Sequence, residues 1–324
     1  MPDHDYFSID HELARGRFLA ACDAAGFPVS SFRHPGSASL VAKLGLPEAL
    51  SGSLFVDIVR AGSPDATRML VLCPGDSESE GLFASGVQVA WLSEGMHRHI
   101  PRTTAVIMIH AVTPDGVTWA RIAAESAKAA HKSKWSDAML AAAEERFTAY
   151  AEAQGLDLSF AQTGANGIPR QHWPVDLLQD IAKQFLNSAK GVVFLSLQLG
   201  LGPYGQAAII PCQEAESAGG KRLQAWFDGN DAFIASEDGA PPGALMAGLM
   251  GQLADSRLTS AALECGVYST RSVLASLGGR GSVGDATSMS TERIFYPRDS
   301  TWQSAVLQHS RRTIRQILRG LSAD

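Results

Sequence analysis

Two unbroken apolar runs constrain the fold of this chain more than any other feature of its sequence. Residues 105–110 read Ala-Val-Ile-Met-Ile-His, and residues 192–197 read Val-Val-Phe-Leu-Ser-Leu. Neither run alternates between apolar and polar residues, so each is typical of a strand that is buried on both faces. Shorter apolar segments at residues 54–59 and 69–73 predict two further strands.

Helical patterns separate these strands. Apolar residues recur at helical spacing before Gly26, where the pattern stops, and again in a closing segment that stops at Gly320. Alternating strands and helices predict an α/β fold with a mostly parallel or mixed sheet and helices on both faces. We expect one domain over residues 1–324, because there is no internal repeat or long linker. The predicted helices are residues 8–25, 82–92, 139–153, 175–190 and 302–320, and the glycine-rich residues 278–290 predict a surface loop.

Composition and charge narrow the functional classes. The chain has 324 residues, of which 45% are hydrophobic and 19% are charged, as in an ordinary globular enzyme. Its net charge of −6 argues against a nucleic-acid partner, because binding phosphates calls for a basic surface. The acidic start of the chain does not resemble a secretory signal, and no apolar run approaches the roughly 20 residues that span a bilayer. We therefore expect a cytoplasmic protein that binds no membrane and keeps its four cysteines reduced.

The segment that follows the strand at residues 69–73 concentrates negative charge. Residues 74–81 read Pro-Gly-Asp-Ser-Glu-Ser-Glu-Gly and carry the carboxylates of Asp76, Glu78 and Glu80. Because these residues alternate, an extended segment would present the three carboxylates on one face, where they could bind Mg²⁺ or Ca²⁺. A solvated acidic loop is the simpler interpretation, since the sequence shows no EF-hand pattern and no second carboxylate cluster.

The same segment contains Gly75-Asp76-Ser77, which resembles the nucleophile loop of lipase-like serine hydrolases. A serine is a poor nucleophile unless a base activates it, and those enzymes supply a histidine from an Asp-x-x-His segment. None of the nine histidines here has an aspartate three positions before it. The sequence therefore argues against a serine hydrolase.

A third interpretation accounts for the acidic segment together with four others. The chain resembles a bacterial domain of unknown function, which is a branch of the zinc carboxypeptidase superfamily that also includes aspartoacylases and succinylglutamate desuccinylases. The resemblance runs from about residue 7 to residue 321 and implies a zinc-carboxypeptidase-like, three-layer α/β fold. The other matching blocks, in the order of that domain, are residues 108–119 (Met-Ile-His-Ala-Val-Thr-Pro-Asp-Gly-Val-Thr-Trp), 200–205 (Gly-Leu-Gly-Pro-Tyr-Gly), 263–268 (Leu-Glu-Cys-Gly-Val-Tyr) and 295–302 (Phe-Tyr-Pro-Arg-Asp-Ser-Thr-Trp).

The resemblance also implies which positions would carry the superfamily's chemistry. In those enzymes two histidines and a glutamate hold a zinc ion that activates water, and a downstream glutamate is the general base. The zinc glutamate falls on Glu80 and the general base on Glu264, whereas the two histidine positions fall on Ser77 and Gln198. The substrate-binding positions fall on His131, Lys132, Gly202 and Tyr204, with Lys132 in place of an arginine.

Serine and glutamine are neutral and are weak zinc ligands compared with imidazole. The resemblance therefore predicts a fold that has lost its zinc histidines and needs no cofactor. Such a protein would be non-catalytic and would bind a small acidic or peptidic ligand or a protein partner. The alternative is an active hydrolase of amide or ester bonds that holds zinc through Asp76, Glu78, Glu80 and His172. A third possibility is a component of a multi-enzyme assembly.

Overall fold

A computed structural model of the chain describes residues 2–33, 55–75, 78–110, 180–234, 253, 257–269 and 296–323. The predicted helix at residues 139–153 and the predicted loop at residues 278–290 lie outside these ranges. Of the helix predicted at residues 175–190, the described part contains a short π-helical segment, Ala182–Leu186.

Within the described residues, seven strands form one mixed sheet. The strand order is β1-β2-β4-β3-β5-β7-β6. The central strands β4, β3, β5 and β7 are parallel, while β1, β2 and β6 each run antiparallel to a neighbour. This sheet confirms the predicted α/β class. The bounds are β1 Val29–Arg33, β2 Phe55–Gly62, β3 Arg68–Pro74, β4 Thr104–His110, β5 Gly191–Gly200, β6 Ala207–Pro211 and β7 Leu258–Gly266.

Four α-helices accompany the sheet in the described ranges: α1 His11–Ala25, α2 Glu78–Ser93, α3 Ala218–Trp226 and α4 Ser300–Ala323. The first begins where the Asp10 carboxylate accepts a hydrogen bond from the Leu13 N–H at 2.8 Å. It ends at Gly26, whose φ of 75° is the left-handed conformation that a glycine cap adopts easily. The Gly26 cap explains why the predicted end of α1 is confirmed.

The predicted start of α1, residue 8, lies three residues before the observed one, and two further helix boundaries differ from the prediction. The helix expected from residue 82 begins at Glu78, inside the acidic segment, where the Glu80 carboxylate in the first turn is near the positive end of the helix dipole. The closing helix continues past Gly320 to Ala323. Gly320 packs against Trp226, and a Cβ at position 320 would lie 2.4 Å from the indole ring. This glycine therefore permits close packing and does not stop the helix.

The sheet separates two apolar layers, as the unbroken runs predicted. Alternate residues of β3, such as Leu70 and Leu72, pack with α1, α2 and α4. The residues between them, such as Met69 and Val71, pack on the other face with the segment that includes Ile181. Both faces of the central strands are therefore buried.

The order of the strands places a topological switch point at their carboxyl ends. From β3 the chain passes through α2 to β4 on one side, while β5 lies on the other side of β3. Open α/β sheets bind ligands at such a switch point, outside the carboxyl ends of the strands. α2 is fixed at this edge by Gln88, whose Nε2 donates to the carbonyl oxygens of Leu72 at 3.3 Å and Ile109 at 3.0 Å.

Candidate functional site at the carboxyl edge of the sheet

The first element of the site is a carboxylate that caps β5 where β3 ends. Pro74, the last residue of β3, pairs with Leu197, and the next N–H, that of Gly75, donates to the Leu197 carbonyl at 3.0 Å. β5 continues, so the N–H of Leu199 lies beyond the end of β3. It donates to Oε1 of Glu80 at 3.3 Å, and Glu80 is only 4% exposed. The side chain that begins α2 thus reaches the neighbouring strand.

Gly75 makes room for this carboxylate. A Cβ at position 75 would lie 2.4 Å from Cδ of Glu80, which is closer than van der Waals contact allows. The absence of a side chain lets the carboxylate lie directly against the backbone at the end of β3.

The second element is the pair Gln198 and Glu264, which are direct neighbours in the parallel register of β5 and β7. Paired residues of adjacent strands project from the same face of a sheet, so both side chains lie on one face at the carboxyl edge. Gln198 is 6% exposed, and its Nε2 donates to Oγ of Ser196 at 3.0 Å. Its Oε1 is buried and has no hydrogen-bond partner.

A second glycine makes room for the carboxylate of Glu264. A Cβ at Gly200 would lie 2.0 Å from Oε1 of Glu264 and 2.1 Å from its Cδ. Side chains alternate along a strand, so position 200 shares the face of Gln198. The carboxylate of Glu264 therefore lies over β5, two residues beyond Gln198.

The loop after β5 is held against the end of β7. Gly205 donates its N–H to the Gly266 carbonyl at 2.9 Å, and the Gly266 N–H donates to the carbonyl of Gln206 at 2.7 Å. This contact brings Tyr204 beside Tyr268, with ring centroids 4.9 Å apart. Tyr204 is 38% exposed, so the aromatic pair presents surface next to the two strand ends.

Three of the residues singled out by sequence thus lie at one edge: Glu80, Gln198 and Glu264. Gly202 and Tyr204 lie in the loop that follows β5. The sequence interpretation missed Gly75, Gly200 and Tyr268, although a glycine immediately after or at the end of a buried strand is a visible signal of close approach. Outside the described residues lie Asp76, Ser77, His131, Lys132 and His172, and for Glu78 only the start of α2 is described.

The described residues at this edge do not fit a zinc ion. Zinc sites in proteins use thiolate, imidazole and carboxylate ligands, whereas Gln198 supplies a neutral amide whose nitrogen already binds Ser196. Glu80 uses one carboxylate oxygen to cap Leu199. Across the described ranges, no group of three or more His, Cys, Asp or Glu side chains is placed to hold a metal.

A separate buried polar cluster lies on the opposite face of the sheet. His110 at the end of β4 stacks on Phe18 with centroids 4.4 Å apart, and its Nε2 lies 3.0 Å from Oγ of Ser85. Burial lowers the pKa of His110 well below its usual value, and burial also lowers the pKa of His11, 6.4 Å away, to about 4. Burial therefore keeps both imidazoles neutral near pH 7.

The chain belongs to the family described as "Protein of unknown function (DUF2817)", whose pattern matches residues 7–127 and 131–309. This match confirms the family to which the sequence blocks pointed. No curated protein is similar enough to the chain to count as a match.

Solved structures give more distant likenesses. A glutaminyl cyclase from Porphyromonas gingivalis shares 10% identity over 95% of this chain and 88% of its own, with a TM-score of 0.45. A protein from Bacteroides vulgatus, assigned as a Zn-dependent exopeptidase, shares 11% sequence identity. The match covers 87% of this chain and 85% of that protein, with a TM-score of 0.37. A protein from Shewanella frigidimarina, assigned as a succinylglutamate desuccinylase or aspartoacylase, shares 15% sequence identity. The match covers 87% of this chain and 71% of that protein, with a TM-score of 0.34. Likenesses of this size carry no argument about activity.

Among the described helices, none combines the length and the apolar character that crossing a membrane would require.

Proposed function

We propose that this chain is a non-catalytic binding protein whose ligand site lies at the carboxyl ends of β3, β5 and β7. The observation that carries the proposal is the environment of Gln198. At the position that the family resemblance gives to a zinc histidine, this neutral amide binds Ser196 through its nitrogen and keeps a buried oxygen without a partner. The ligand is a small acidic or peptidic molecule, or a segment of a protein partner.

The glycines at the strand ends also support a binding site at this edge, because each makes room for a polar carboxylate and not for an apolar side chain. Gly75 and Gly200 each leave the space that a carboxylate occupies, and the two carboxylates come from different elements, α2 and β7. Burying carboxylates costs free energy unless hydrogen bonds or charges compensate. Both Glu80 and Glu264 have such partners within the fold, so the support they give is their position, which places two acceptors from different elements where a ligand can contact them.

The donor set also argues against hydrolysis. A metal-bound water has a pKa near 7, compared with 15.7 for bulk water, and this difference is what lets a single glutamate act as base in a zinc hydrolase. Gln198 and Glu80, the described residues at two of the three ligand positions, do not make a zinc site by themselves, and without a metal Glu264 would have to activate bulk water unaided. A general base without such activation contributes far less than the superfamily's chemistry requires.

Elemental analysis of the purified full chain tests this proposal directly. We expect well below one zinc per chain, together with no hydrolysis of amide or ester substrates when zinc is added. About one zinc per chain, removed by EDTA together with a hydrolytic activity, would contradict this proposal and favour the alternative, an active hydrolase whose ligands are drawn from Asp76, Glu78, Glu80 and His172. A thermal-shift screen of dipeptides and small dicarboxylates then identifies ligands, and a complete lack of binding would contradict the proposed role.

A further inference from the structure

We infer that acid releases helix α1 from the sheet when His11 and His110 take up protons, while the central strands stay folded. The inference goes beyond the proposed function and concerns a different part of the molecule. Phe18, which stacks on His110, lies in the apolar layer of α1. Gln198 lies on the other face of the sheet, which it shares with Phe194 of the same strand.

The two imidazoles lie on opposite sides of the contact between α1 and the sheet. His11 is the first residue of α1 and His110 is the last residue of β4, and their ring centroids are 6.4 Å apart. Phe18, about two turns further along the helix, stacks on the His110 ring with centroids 4.4 Å apart. Positive charge on both rings would therefore push the helix and the strand apart.

The packed structure provides no acceptor for a second proton on either ring. Nε2 of His11 and Nδ1 of His110 are buried and have no hydrogen-bond partner, while Nε2 of His110 lies 3.0 Å from Oγ of Ser85. A neutral imidazole carries one N–H, whereas an imidazolium donates from both nitrogens. Protonation would thus bury a charge together with an unsatisfied N–H, a cost that is removed when the ring reaches water.

The charged groups around the two rings do not compensate for such protons. Within the described residues, these groups are Asp10 and Arg15 on α1 and Asp57 on β2. Arg15 donates to both oxygens of Asp57, at 2.6 and 3.0 Å, so this carboxylate already has its cation. Asp10 caps the Leu13 N–H at the exposed start of the helix. The Cys22 thiol stays neutral, because burial raises its pKa to about 12.

The direction of the pKa shifts agrees with this geometry. Burial lowers the pKa of His11 to about 4 and that of His110 well below its usual value. In a released helix His11 regains its ordinary pKa of about 6.5. The attached state is therefore fully favoured above pH 6.5, and the equilibrium constant for opening rises as the pH falls toward 4. For His11 this rise is about tenfold at pH 5, reduced for the partial exposure of the side chain.

The position of α1 allows such an opening to be local. The strand that follows it, β1, pairs with β2 at the edge of the described sheet. By contrast, β5 has a parallel partner on each side, β3 and β7. Elements at the periphery open at a lower free energy than central strands do. We therefore expect α1 to open while β5 and β7 remain in place.

Two cysteines of the chain report on this opening. Cys22 lies in α1 and Cys265 in β7, and both are free and fully buried. The full chain is treated with 2,2′-dipyridyl disulfide at pH 7.5 and pH 5.0, and mass spectrometry locates the label. Each rate is divided by that of a free cysteine peptide at the same pH, which removes the pH dependence of the thiol itself.

We expect the corrected labelling rate of Cys22 to rise about tenfold from pH 7.5 to pH 5.0, as the shift of His11 requires. At both pH values Cys22 should react at least about tenfold faster than Cys265, because local opening is more frequent than global unfolding. Equal rates at the two cysteines would show that α1 opens only when the whole chain unfolds, and would overturn the inference. A corrected Cys22 rate that does not depend on pH would overturn it as well.

A substitution assigns the effect to the cluster. His11→Gln should reduce the pH-dependent rise at Cys22 severalfold, and the rise that remains is due to His110. The matched control is His309→Gln, because burial also lowers the pKa of His309 but this residue lies in α4, which stays attached. It should show the same rise as the parent. An undiminished rise in His11→Gln, or an equal reduction in His309→Gln, would contradict the inference.

Discussion

The carboxylate of Glu264 occupies the space that a side chain on Gly200 would need. A Cβ there would lie 2.0 Å from Oε1 of Glu264, so the two residues depend on each other. Gly200 allows Glu264 to lie over β5, and Glu264 uses a space that only a glycine leaves. The same relationship holds between Gly75 and Glu80. The placement of both carboxylates therefore depends on the glycines at the strand ends.

Gly200→Ala should displace the Glu264 carboxylate at little cost to the fold. The atoms that a new methyl group would meet are the far end of a flexible side chain, which can turn away. We expect the free energy of unfolding in urea to change by less than about 1 kcal/mol, as for substitutions that avoid the core. Binding of ligands found in the thermal-shift screen should fall at least tenfold.

Gly191→Ala is the matched control for that substitution. It lies at the start of the same strand, and its Cβ would be 3.6 Å from Cδ1 of Leu321, an ordinary contact. It should preserve both stability and binding. Unchanged binding by Gly200→Ala would show that the position of Glu264 does not matter to the ligand.

Arg15→Met should destabilise the fold strongly, because it leaves a buried carboxylate without its cation. Asp57 is fully buried, and Arg15 donates to its two oxygens at 2.6 and 3.0 Å. Removing one partner of a buried ion pair typically costs about 3–5 kcal/mol. Urea denaturation measures this cost, and adding Asp57→Asn should recover part of it.

A surface pair provides the comparison. Lys221 lies 3.0 Å from Glu216, and both side chains are largely exposed. Because such pairs contribute about 0–1 kcal/mol, Lys221→Met should leave the free energy of unfolding nearly unchanged. Similar costs for the two substitutions would mean that Arg15 and Asp57 are not coupled as their geometry indicates.

The sequence predicted the centre of this fold better than its periphery. The apolar runs of β4 and β5 are uninterrupted because these strands lie inside the sheet. Such runs predict one structure, a strand that is buried on both faces. The outer strands β1 and β6 were missed: Val29–Arg33 reads Val-Ser-Ser-Phe-Arg, and such a mixed pattern becomes a strand only when a neighbour pairs with it. The ends of helices were also missed where tertiary packing decided them, as at Gly320.

The candidate site could be predicted in part. Because carboxyl ends of parallel strands meet at one edge, residues at the ends of β5 and β7 can be expected to meet, and Gln198 and Glu264 do so. The bond from Leu199 to Glu80 could not be predicted, since it depends on β5 extending past β3. That relative length is set by the whole sheet and not by any local pattern.

Acid should destabilise the protein through His11. Burial lowers the pKa of this histidine to about 4, whereas its unfolded value is 6.5, and its Nε2 is buried without a partner. Between these values the unfolded chain takes up a proton that the folded chain does not, so stability is complete above pH 6.5 and is lost as the pH falls toward 4. At pH 5 we expect His11 to lower the free energy of unfolding by about 1–2 kcal/mol, a figure reduced for the partial exposure of the side chain.

Urea denaturation at pH 7.5 and pH 5.0 measures this loss. His11→Gln should reduce the difference between the two pH values, and His110, His97 and His309, whose pKa values burial also lowers, contribute to the part that remains. Asp57 and Arg15 oppose each other at His11, the first raising and the second lowering its pKa. An identical pH dependence for His11→Gln and the parent would contradict the assignment.

Introducing histidines at positions 77 and 198 should create a zinc site if the resemblance to the zinc carboxypeptidases extends to the geometry of this edge. The double substitution Ser77→His with Gln198→His would combine two imidazoles with Glu80, the three-ligand set that leaves one position open. A ligand at a thousand times its dissociation constant stabilises the folded state by about 4 kcal/mol, so thermal melts with and without zinc should separate. Each single substitution leaves at most two strong ligands and should show no comparable shift.

The double variant also tests the placement of residues that the resemblance implies. Glu80 binds the backbone N–H of Leu199, the residue after Gln198, so we expect a histidine at position 198 to lie near the carboxylate. Lost partners that orient the imidazoles can weaken zinc binding about tenfold to a hundredfold, which the melts would still detect. Substituting Gln303→His in place of Gln198→His gives a matched control with the same number of histidines, and it should show no zinc-dependent shift. A folded double variant whose melting temperature does not change when zinc is added would mean that positions 77 and 198 do not face one site.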